Sequence, residues 1–214
     1  MPTAQIGLDT HQGAQLAAPM GVTMILATCA GCSRPSATPF CLVCETSVLP
    51  APPGLVWAAW AYEGAVANAV VSWKERHHEV NGLRLIEAAT PKLAARFSAI
   101  DVVVAIPPAF FRTLWRGFHP ADAWAQAAAR ALGARCEARA LRRIDSTRQM
   151  GASREERQKR KLFAATRRVS ELQGKRLLIV DDVTTSGATM RAAAVVLSAC
   201  EPASLQFAAL ASVR

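Results

Sequence analysis

The sequence predicts an α/β fold with a doubly wound, mainly parallel sheet, preceded by a small N-terminal four-cysteine zinc module. Residues 102–106 and 177–180 are uninterrupted apolar runs rich in valine, isoleucine and leucine, which is typical of strands buried on both faces of a parallel sheet. Helical patterns separate such runs. Strands that alternate with helices favour a doubly wound sheet, with ligands bound at the carboxyl ends of the strands.

Apolar residues at helical spacing predict helices over residues 64–76, 83–97, 121–132 and 190–199. Pro91 marks a break or a new start within the second helix. Apolar runs predict strands over residues 101–106, 175–180 and 205–213, and a weak strand over 138–141. Since Pro107 and Pro108 stop the first strand, we expect Pro107, Asp181 and Asp182 along one rim of the sheet.

Length and composition limit the classes of protein to consider. A chain of 214 residues fits one α/β domain with a small appendage. No apolar run reaches the roughly 18 residues of a membrane span, and no basic segment precedes the apolar residues 21–30. We therefore expect a cytoplasmic protein without a signal peptide. Residues 1–24 predict a disordered leader, with Met20 or Met24 as alternative start sites.

Four of the six cysteines form two C-x-x-C pairs that predict a structural zinc site. They are Cys29, Cys32, Cys41 and Cys44. Two disulfides are the alternative, but the expected reducing compartment favours the metal. Because a module of this size has little core of its own, zinc would supply most of its folding energy, on the order of 10 kcal/mol. Cys136 and Cys200 lie in apolar surroundings and are interpreted as core residues.

The predicted module spans residues 25–50, and residues 54–214 form the main domain. Between them, residues 50–54 predict a stiff proline-rich linker, which would let the main domain survive chelation of the metal. An aromatic cluster follows, formed by Trp57, Trp60 and Tyr62. Its expected role is to pack the module onto its neighbour, with a base-stacking platform as the alternative. His77 and His78 are interpreted as surface residues.

The segment from Arg176 to Thr189 carries the strongest functional signal. An apolar strand is expected to end at Asp181 and Asp182, and a hydroxyl-rich loop with one glycine follows: Thr184, Thr185, Ser186, Gly187, Ala188 and Thr189. A strand, a polar turn and a helix N-terminus create an anion site, because unpaired N–H groups and the helix dipole converge there. Two carboxylates beside a phosphate site suit a ligand that also carries a diol or a metal ion. A sugar phosphate meets both requirements.

Other interpretations of this segment fit less well. The chain lacks the G-x-x-x-x-G-K-[ST] loop of P-loop ATPases. Only 32 residues follow Asp182, too few for a response-regulator receiver. An acidic pair that merely caps a core strand is the remaining alternative.

Basic charge is concentrated in one segment. The formal net charge is +9, and residues 142–168 hold ten arginines or lysines against Asp145, Glu155 and Glu156. A solvated, partly helical face is one explanation. The other is a mobile arm that meets pyrophosphate or a nucleic-acid backbone.

The acidic segment closely resembles the phosphoribosyl-diphosphate (PRPP) signature of type I phosphoribosyltransferases. The resemblance extends to the ComF family through the order of its motifs. They are the four-cysteine knuckle, Tyr62-Glu63-Gly64, Arg112, Arg116-Gly117-Phe118, Arg142-Arg143, Thr147-x-Gln149, Arg157 and the acidic signature. It covers residues 29–214 and implies a type I phosphoribosyltransferase fold, an N-terminal zinc finger and a link to DNA uptake in competence.

The resemblance also implies roles for individual residues. Asp181 and Asp182 would hold the ribose hydroxyls as the catalytic pair, residues 184–189 would bind the 5-phosphate, and Mg²⁺ would bridge pyrophosphate and ribose oxygens. Candidates for a loop covering the pyrophosphate are Arg154, Arg157, Lys159, Arg160 and Lys161. The sequence departs from the family pattern at residues 73–76, 117–120 and 157–161, which are expected to surround the acceptor.

Two hypotheses about function follow. In the first, the chain is a Mg²⁺-dependent phosphoribosyltransferase that binds PRPP and transfers or hydrolyses its phosphoribosyl group, with an unidentified acceptor. In the second, it is a zinc-containing accessory that binds single-stranded DNA or a DNA-processing helicase in natural transformation. The intact phosphate loop motivates the first hypothesis, and the basic segment, the zinc knuckle and the altered acceptor motifs motivate the second.

Overall fold

A computed structural model of the chain describes residues 27–108, 118–144 and 162–213. The strands are β1 (Trp57–Ala61), β2 (Val102–Ala105), β3 (Arg135–Glu137), β4 (Leu141–Arg143), β5 (Phe163–Ala165), β6 (Arg176–Thr184) and β7 (Ser204–Ser212). The helices are α1 (Leu42–Glu45), α2 (Gly64–Glu75), α3 (Glu79–Arg96), α4 (Pro120–Leu132) and α5 (Ala188–Leu197). Short 3₁₀ helices cover Arg167–Leu172 and Ser198–Cys200.

The predicted parallel sheet is confirmed. Five strands pair in the order β1-β7-β6-β2-β3, and every pairing between them is parallel. Helices α2, α3 and α4 cover one face of the sheet, and α5 covers the other together with the antiparallel β4–β5 ribbon. Residues 177–180 of β6 are fully buried between these layers. Within the described ranges, no helix is long and apolar enough to cross a membrane.

The strand β1 was not among the sequence-based predictions. It is an edge strand that pairs only with β7, from Trp57 opposite Ala208 to Ala61 opposite Ser212. The segment reads Trp-Ala-Ala-Trp-Ala and lacks β-branched residues, so its local preference for a strand is weak. Its conformation is set by pairing with β7.

Two element boundaries correct the sequence-based prediction. Helix α3 continues through Pro91, where a break was expected. The lost N–H of Pro91 leaves the Glu87 carbonyl without its helical partner, but both residues lie on the exposed side of the helix, where water can satisfy that oxygen. The prediction of a weak strand over residues 138–141 was also wrong, since β3 ends at Glu137 and β4 begins at Leu141. The Glu137 carboxylate accepts the Arg139 N–H at 2.8 Å, which closes a turn between β3 and β4.

The central strand β6 and helix α5 also differ from expectation. Strand β6 does not end at Asp181 but continues to Thr184, because β7 runs beside it as far as Ser212. The Val213 N–H extends this ladder by donating to the Thr184 carbonyl at 2.9 Å. Helix α5 begins at Ala188, two residues earlier than predicted. The polar loop is therefore compressed to the three residues between β6 and α5.

The cysteine-containing segment packs onto the main domain rather than standing apart from it. Phe40 contacts the Trp60 ring edge-to-face at 5.8 Å between ring centroids, as predicted for this aromatic cluster. The Arg84 guanidinium on α3 donates to the carbonyls of Thr28 at 3.2 Å and Ala37 at 3.0 Å. The segment therefore shares the main core.

A glycine inside α3 permits a close helix contact. A Cβ atom on Gly82 would lie 2.0 Å from the Trp73 ring, and Trp73 is itself 2% exposed. Overpacking of this kind cannot be relieved by moving a flexible side-chain end, since Trp73 is enclosed.

We expect Gly82→Ala to lower the free energy of unfolding by about 1–3 kcal/mol, although alanine is the better helix former. Urea denaturation would measure it. The control is Gly54→Ala, where a Cβ would meet nothing within 4 Å. Equal stability of the two variants would contradict the predicted clash.

Candidate functional site

The four predicted zinc ligands lie together. Their Sγ atoms all fall within 4.8 Å of one another, and the Sγ atoms of Cys32 and Cys41 are 3.8 Å apart. Four thiolates about 2.3 Å from one zinc ion would be separated by roughly 3.8 Å, so this spacing suits a tetrahedral metal site. All four are free thiols, which disfavours the disulfide alternative.

The surroundings of Cys29 and Cys32 favour metal binding, whereas burial raises the pKa of the Cys44 thiol. A hydrogen bond from the Arg34 Nε, 3.4 Å from the Cys32 Sγ, lowers the pKa of that thiol to about 6. The Cys41 N–H donates to the Cys29 Sγ at 3.3 Å. Both contacts stabilise thiolates, the form that binds zinc. Cys136 and Cys200 are not in this cluster, as predicted.

We expect native mass spectrometry to find one zinc ion per chain, lost in Cys41→Ser/Cys44→Ser and kept in Cys136→Ser. Because Phe40 packs on Trp60, zinc loss should also shift tryptophan emission to longer wavelength and lower the Tm of the main domain. An unchanged Tm would instead support the independent module expected from the sequence. Protein from reducing conditions with two disulfides and no zinc would contradict the site.

Strand alternation places Asp181 and Asp182 on opposite faces of the sheet. Leu178 and Val180 lie in the core cluster under α2, α3 and α4, whereas Leu177 and Ile179 lie in the cluster under α5. By the same alternation, Asp182 is on the face covered by α2, α3 and α4, and Asp181 is on the face covered by α5. Both carboxylates therefore flank the same strand near its carboxyl end, where the helices no longer cover it fully.

Asp182 is paired with a lysine that the sequence analysis did not assign to the site. Its Oδ2 lies 2.8 Å from the Lys74 Nζ in the last turn of α2, and Asp182 is 9% exposed. Its Oδ1 accepts the Val183 N–H at 2.7 Å. Burial, together with the charges of Glu75 and Asp182, raises the pKa of Tyr62. The sequence analysis singled out residues 73–76, and the lysine kept in that segment was the available sequence signal for Lys74.

Among the described residues, none forms such an ion pair with Asp181. The Asp182 N–H donates to its Oδ1 at 2.9 Å. Some of the side chain reaches the surface, but protein atoms surround most of the carboxyl. This burial raises the pKa of Asp181 well above its ordinary value, and the charge of Asp182 is the second-largest cause of the increase. The fold thus holds two adjacent carboxyls in different electrostatic states.

The loop after β6 leads into the N-terminus of α5 through a left-handed glycine. Gly187 has a left-handed φ of 71° and caps α5, which directs the first N–H groups of that helix towards the loop. Thr185 and Ser186 are exposed, whereas Thr184 is buried. The Nη1 atom of Arg191, a residue missed by the sequence analysis, lies 3.2 Å from where a Cβ on Gly187 would be. It adds a cation beside the loop.

The rim predicted to include Pro107 is confirmed. The Ile106 N–H donates to the Val180 carbonyl at 2.9 Å, which continues the β2–β6 pairing to the level of the acidic pair, and Pro107 follows directly. The Arg143 Nη1 lies 3.4 Å from the Pro107 carbonyl oxygen, and the Ile144 N–H pairs with the Leu162 carbonyl at 2.9 Å. Ile144 and Leu162, which flank residues 145–161 of the basic segment, therefore pair with each other beside this rim.

Several residues named in the sequence analysis lie outside the described ranges. They are Met20, Met24, Arg112, Arg116, Gly117, Asp145, Thr147, Gln149, Arg154, Glu155, Glu156, Arg157, Lys159, Arg160 and Lys161. The roles assigned to them stay predictions.

Comparison with known proteins supports a phosphoribosyltransferase-like fold. Residues 121–214 match the family model of the phosphoribosyl transferase domain. This segment includes β6, the acidic pair and the loop before α5. No curated protein matches the chain. The predicted fold class is confirmed, whereas membership of the ComF family in particular stays a prediction.

Two solved structures resemble parts of the chain. One is titled the allosteric regulatory enzyme of purine biosynthesis, with 23% identity and a TM-score of 0.41. The other is the glutamine PRPP amidotransferase from B. subtilis in complex with ADP and GMP, with 22% identity and a TM-score of 0.41. Each comparison covers 61% of this chain and 26% of the other, so this chain spans about a quarter of those proteins.

We expect Asp181→Asn and Asp182→Asn to change stability in opposite directions. The folded-state pKa of Asp181 is raised, so the wild-type fold loses stability as pH rises from the unfolded value of about 3.9. Asp181→Asn should therefore raise the Tm at pH 8, and the gain should shrink towards pH 4. Asp182→Asn leaves Lys74 without its partner and should cost about 1–2 kcal/mol.

Thermal unfolding between pH 4 and pH 8 measures both effects, and circular dichroism checks that each variant is folded. A loss of stability in Asp181→Asn at pH 8 would show that the carboxylate makes a structural contact that the fold requires. It would also contradict the electrostatic difference between the two positions.

Proposed function

We propose that the chain binds PRPP as its Mg²⁺ complex at the carboxyl end of β6 and transfers or hydrolyses the phosphoribosyl group. The supporting observation is one strand that carries a carboxylate on each face and leads directly into an anion-binding loop. The match of residues 121–214 to the phosphoribosyl transferase domain agrees with this proposal.

Each part of the site suits one part of the ligand. The carboxylates of Asp181 and Asp182 can accept hydrogen bonds from the two ribose hydroxyls. The N–H groups and hydroxyls of residues 184–189, with Arg191 beside them, suit the 5-phosphate. Carboxylate oxygens are also ligands that Mg²⁺ prefers, and the ion would neutralise diphosphate charge when bound.

The reaction breaks the bond between ribose C1 and the diphosphate oxygen, and the electron pair leaves with the diphosphate. The acceptor, or water in hydrolysis, forms the new bond to C1 and releases its proton. Positive charge develops on the ribose ring as the first bond weakens. Two carboxylates held beside the ring stabilise that charge without reorganising, which lowers the barrier more than it strengthens substrate binding.

Lys74 is proposed as a positioning residue. Its ammonium group holds the Asp182 carboxylate and also lowers the pKa of Asp181, although burial and Asp182 outweigh this effect. Since a carboxylate accepts two ribose hydrogen bonds better than a carboxylic acid does, PRPP should bind more tightly as pH rises through the pKa of Asp181. Lys74 should set where that increase occurs.

Isothermal titration with PRPP and Mg²⁺ tests the proposal on zinc-loaded protein. We expect binding to the wild type and none to Asp181→Asn/Asp182→Asn. Lys74→Met should bind several-fold more weakly near pH 7 and recover at higher pH, whereas Lys74→Arg should keep the wild-type pH profile. Absence of binding by folded wild type at millimolar PRPP would exclude the enzyme. An unshifted profile in Lys74→Met would exclude the positioning role.

A second candidate function is binding of single-stranded DNA, with or without a helicase partner, in competence. It is supported by the net charge of +9 and by the basic ribbon residues Arg142 and Arg143 beside the rim. Binding of a labelled oligonucleotide should weaken steeply with salt, with log K falling by about 0.7 per neutralised phosphate for each tenfold rise. Absence of a shift at low salt would exclude direct binding.

A further inference from the structure

A cavity of about 820 Å³ opens at the edge of the sheet, apart from the acidic pair. It arises because β1 is shorter than β7. Pairing between them begins at Ala208, so residues 204–207 of β7 have β6 on one side and, within the described ranges, no strand on the other. The proline-rich residues 50–55 form the facing wall, which gives this segment a role beyond that of a linker.

The charges around this cavity are of one sign. Lys92 and Arg96, one helical turn apart at the end of α3, are among the residues that line it. Within the described part of the chain neither forms an ion pair, and none of the lining residues is acidic. An anion bound here would meet two cations that no carboxylate already neutralises.

Aromatic surface lies beside the two cations. Trp57 is partly exposed in the cavity and contacts Phe97 edge-to-face at 5.6 Å between ring centroids. Lys92 Nζ lies 6.0 Å from the Trp60 ring centroid, and the Arg96 guanidinium lies 5.3 Å from that of Phe97. The Gln206 side chain adds an amide that can donate and accept hydrogen bonds. The lining thus combines cations, an indole and one amide.

We propose that this cavity binds a small organic phosphate with a planar ring, of the mononucleotide class. Its phosphate would lie against Lys92 and Arg96, and its ring would contact Trp57. The volume falls within the range of roughly 300–1,000 Å³ that is usual for small-molecule sites. A charged phosphate alone would leave the aromatic wall unused, and a neutral ring alone would leave the cations unused.

The test uses the full zinc-loaded chain and adenosine 5′-monophosphate as the probe, measured by isothermal titration and tryptophan fluorescence. The wild type should bind this nucleotide at least tenfold more tightly than inorganic phosphate or adenosine. Lys92→Met/Arg96→Met should weaken binding at least tenfold. Trp57→Leu should weaken it several-fold and remove most of the fluorescence change. These side chains are wholly or partly exposed, and circular dichroism would verify folding.

Matched controls separate this cavity from general charge and from the phosphate loop. Arg130→Met/Lys175→Met removes the same charge from exposed positions elsewhere and should leave binding unchanged. Ser186→Glu places a negative charge in the loop before α5 and should also leave it unchanged. Loss of binding in Ser186→Glu, with Lys92→Met/Arg96→Met unaffected, would locate the nucleotide at that loop and overturn the proposal.

The unpaired edge of β7 raises one competing occupant, an extended acidic peptide that adds a strand there. An aspartate-rich octapeptide is therefore titrated in parallel. Binding of the peptide without binding of the nucleotide would overturn the proposal. Nucleotide binding that is weakened in Lys92→Met/Arg96→Met would support the proposal. This result does not depend on whether PRPP binds at β6.

Discussion

Burial of two neighbouring carboxyls at the end of the central strand is the constraint on which the rest of the site depends. Strand β6 is enclosed between two layers, and adjacent residues in a strand must face opposite layers. Only one of the pair can therefore meet α2, where Lys74 compensates Asp182. Asp181 is left with its charge largely uncompensated. A fold selected only for stability would place apolar or small residues at this position.

Helix α2 connects that acidic pair to the metal site. At its start, the Ala65 N–H donates to the Ser47 Oγ at 3.1 Å. Near its end, the Asn81 amide donates to the hydroxyls of Ser33 at 2.9 Å and Ser72 at 3.1 Å. The cysteine-containing segment thus contacts the start of α2 directly and is linked to the end of α2 through Asn81 of α3, and the last turn of α2 carries Lys74. These contacts link the four-cysteine cluster to the lysine that holds Asp182.

The sequence was sufficient for the parallel sheet and the clustering of the four thiols, because each depends on local patterns. Uninterrupted apolar runs indicate buried strands, and C-x-x-C pairs bring thiols together without distant contacts. Strand β1, by contrast, is set by pairing with β7, and the Lys74–Asp182 contact joins residues far apart in the chain. The continuation of β6 to Thr184 also depends on its neighbour. Local sequence carries little information about such partners.

The proposed phosphate loop and the edge cavity share a structural support. Val56 lies in the cavity wall, and its Cγ2 is 3.3 Å from where a Cβ on Gly187 would be. It packs with Met190 of α5 and Ala209 of β7 in a small buried cluster. Any side chain at Gly187 would disturb this cluster and the left-handed turn together, since its φ is 71°. The left-handed turn therefore requires the glycine, and the packing of Val56 on the cavity side further restricts any side chain at this position.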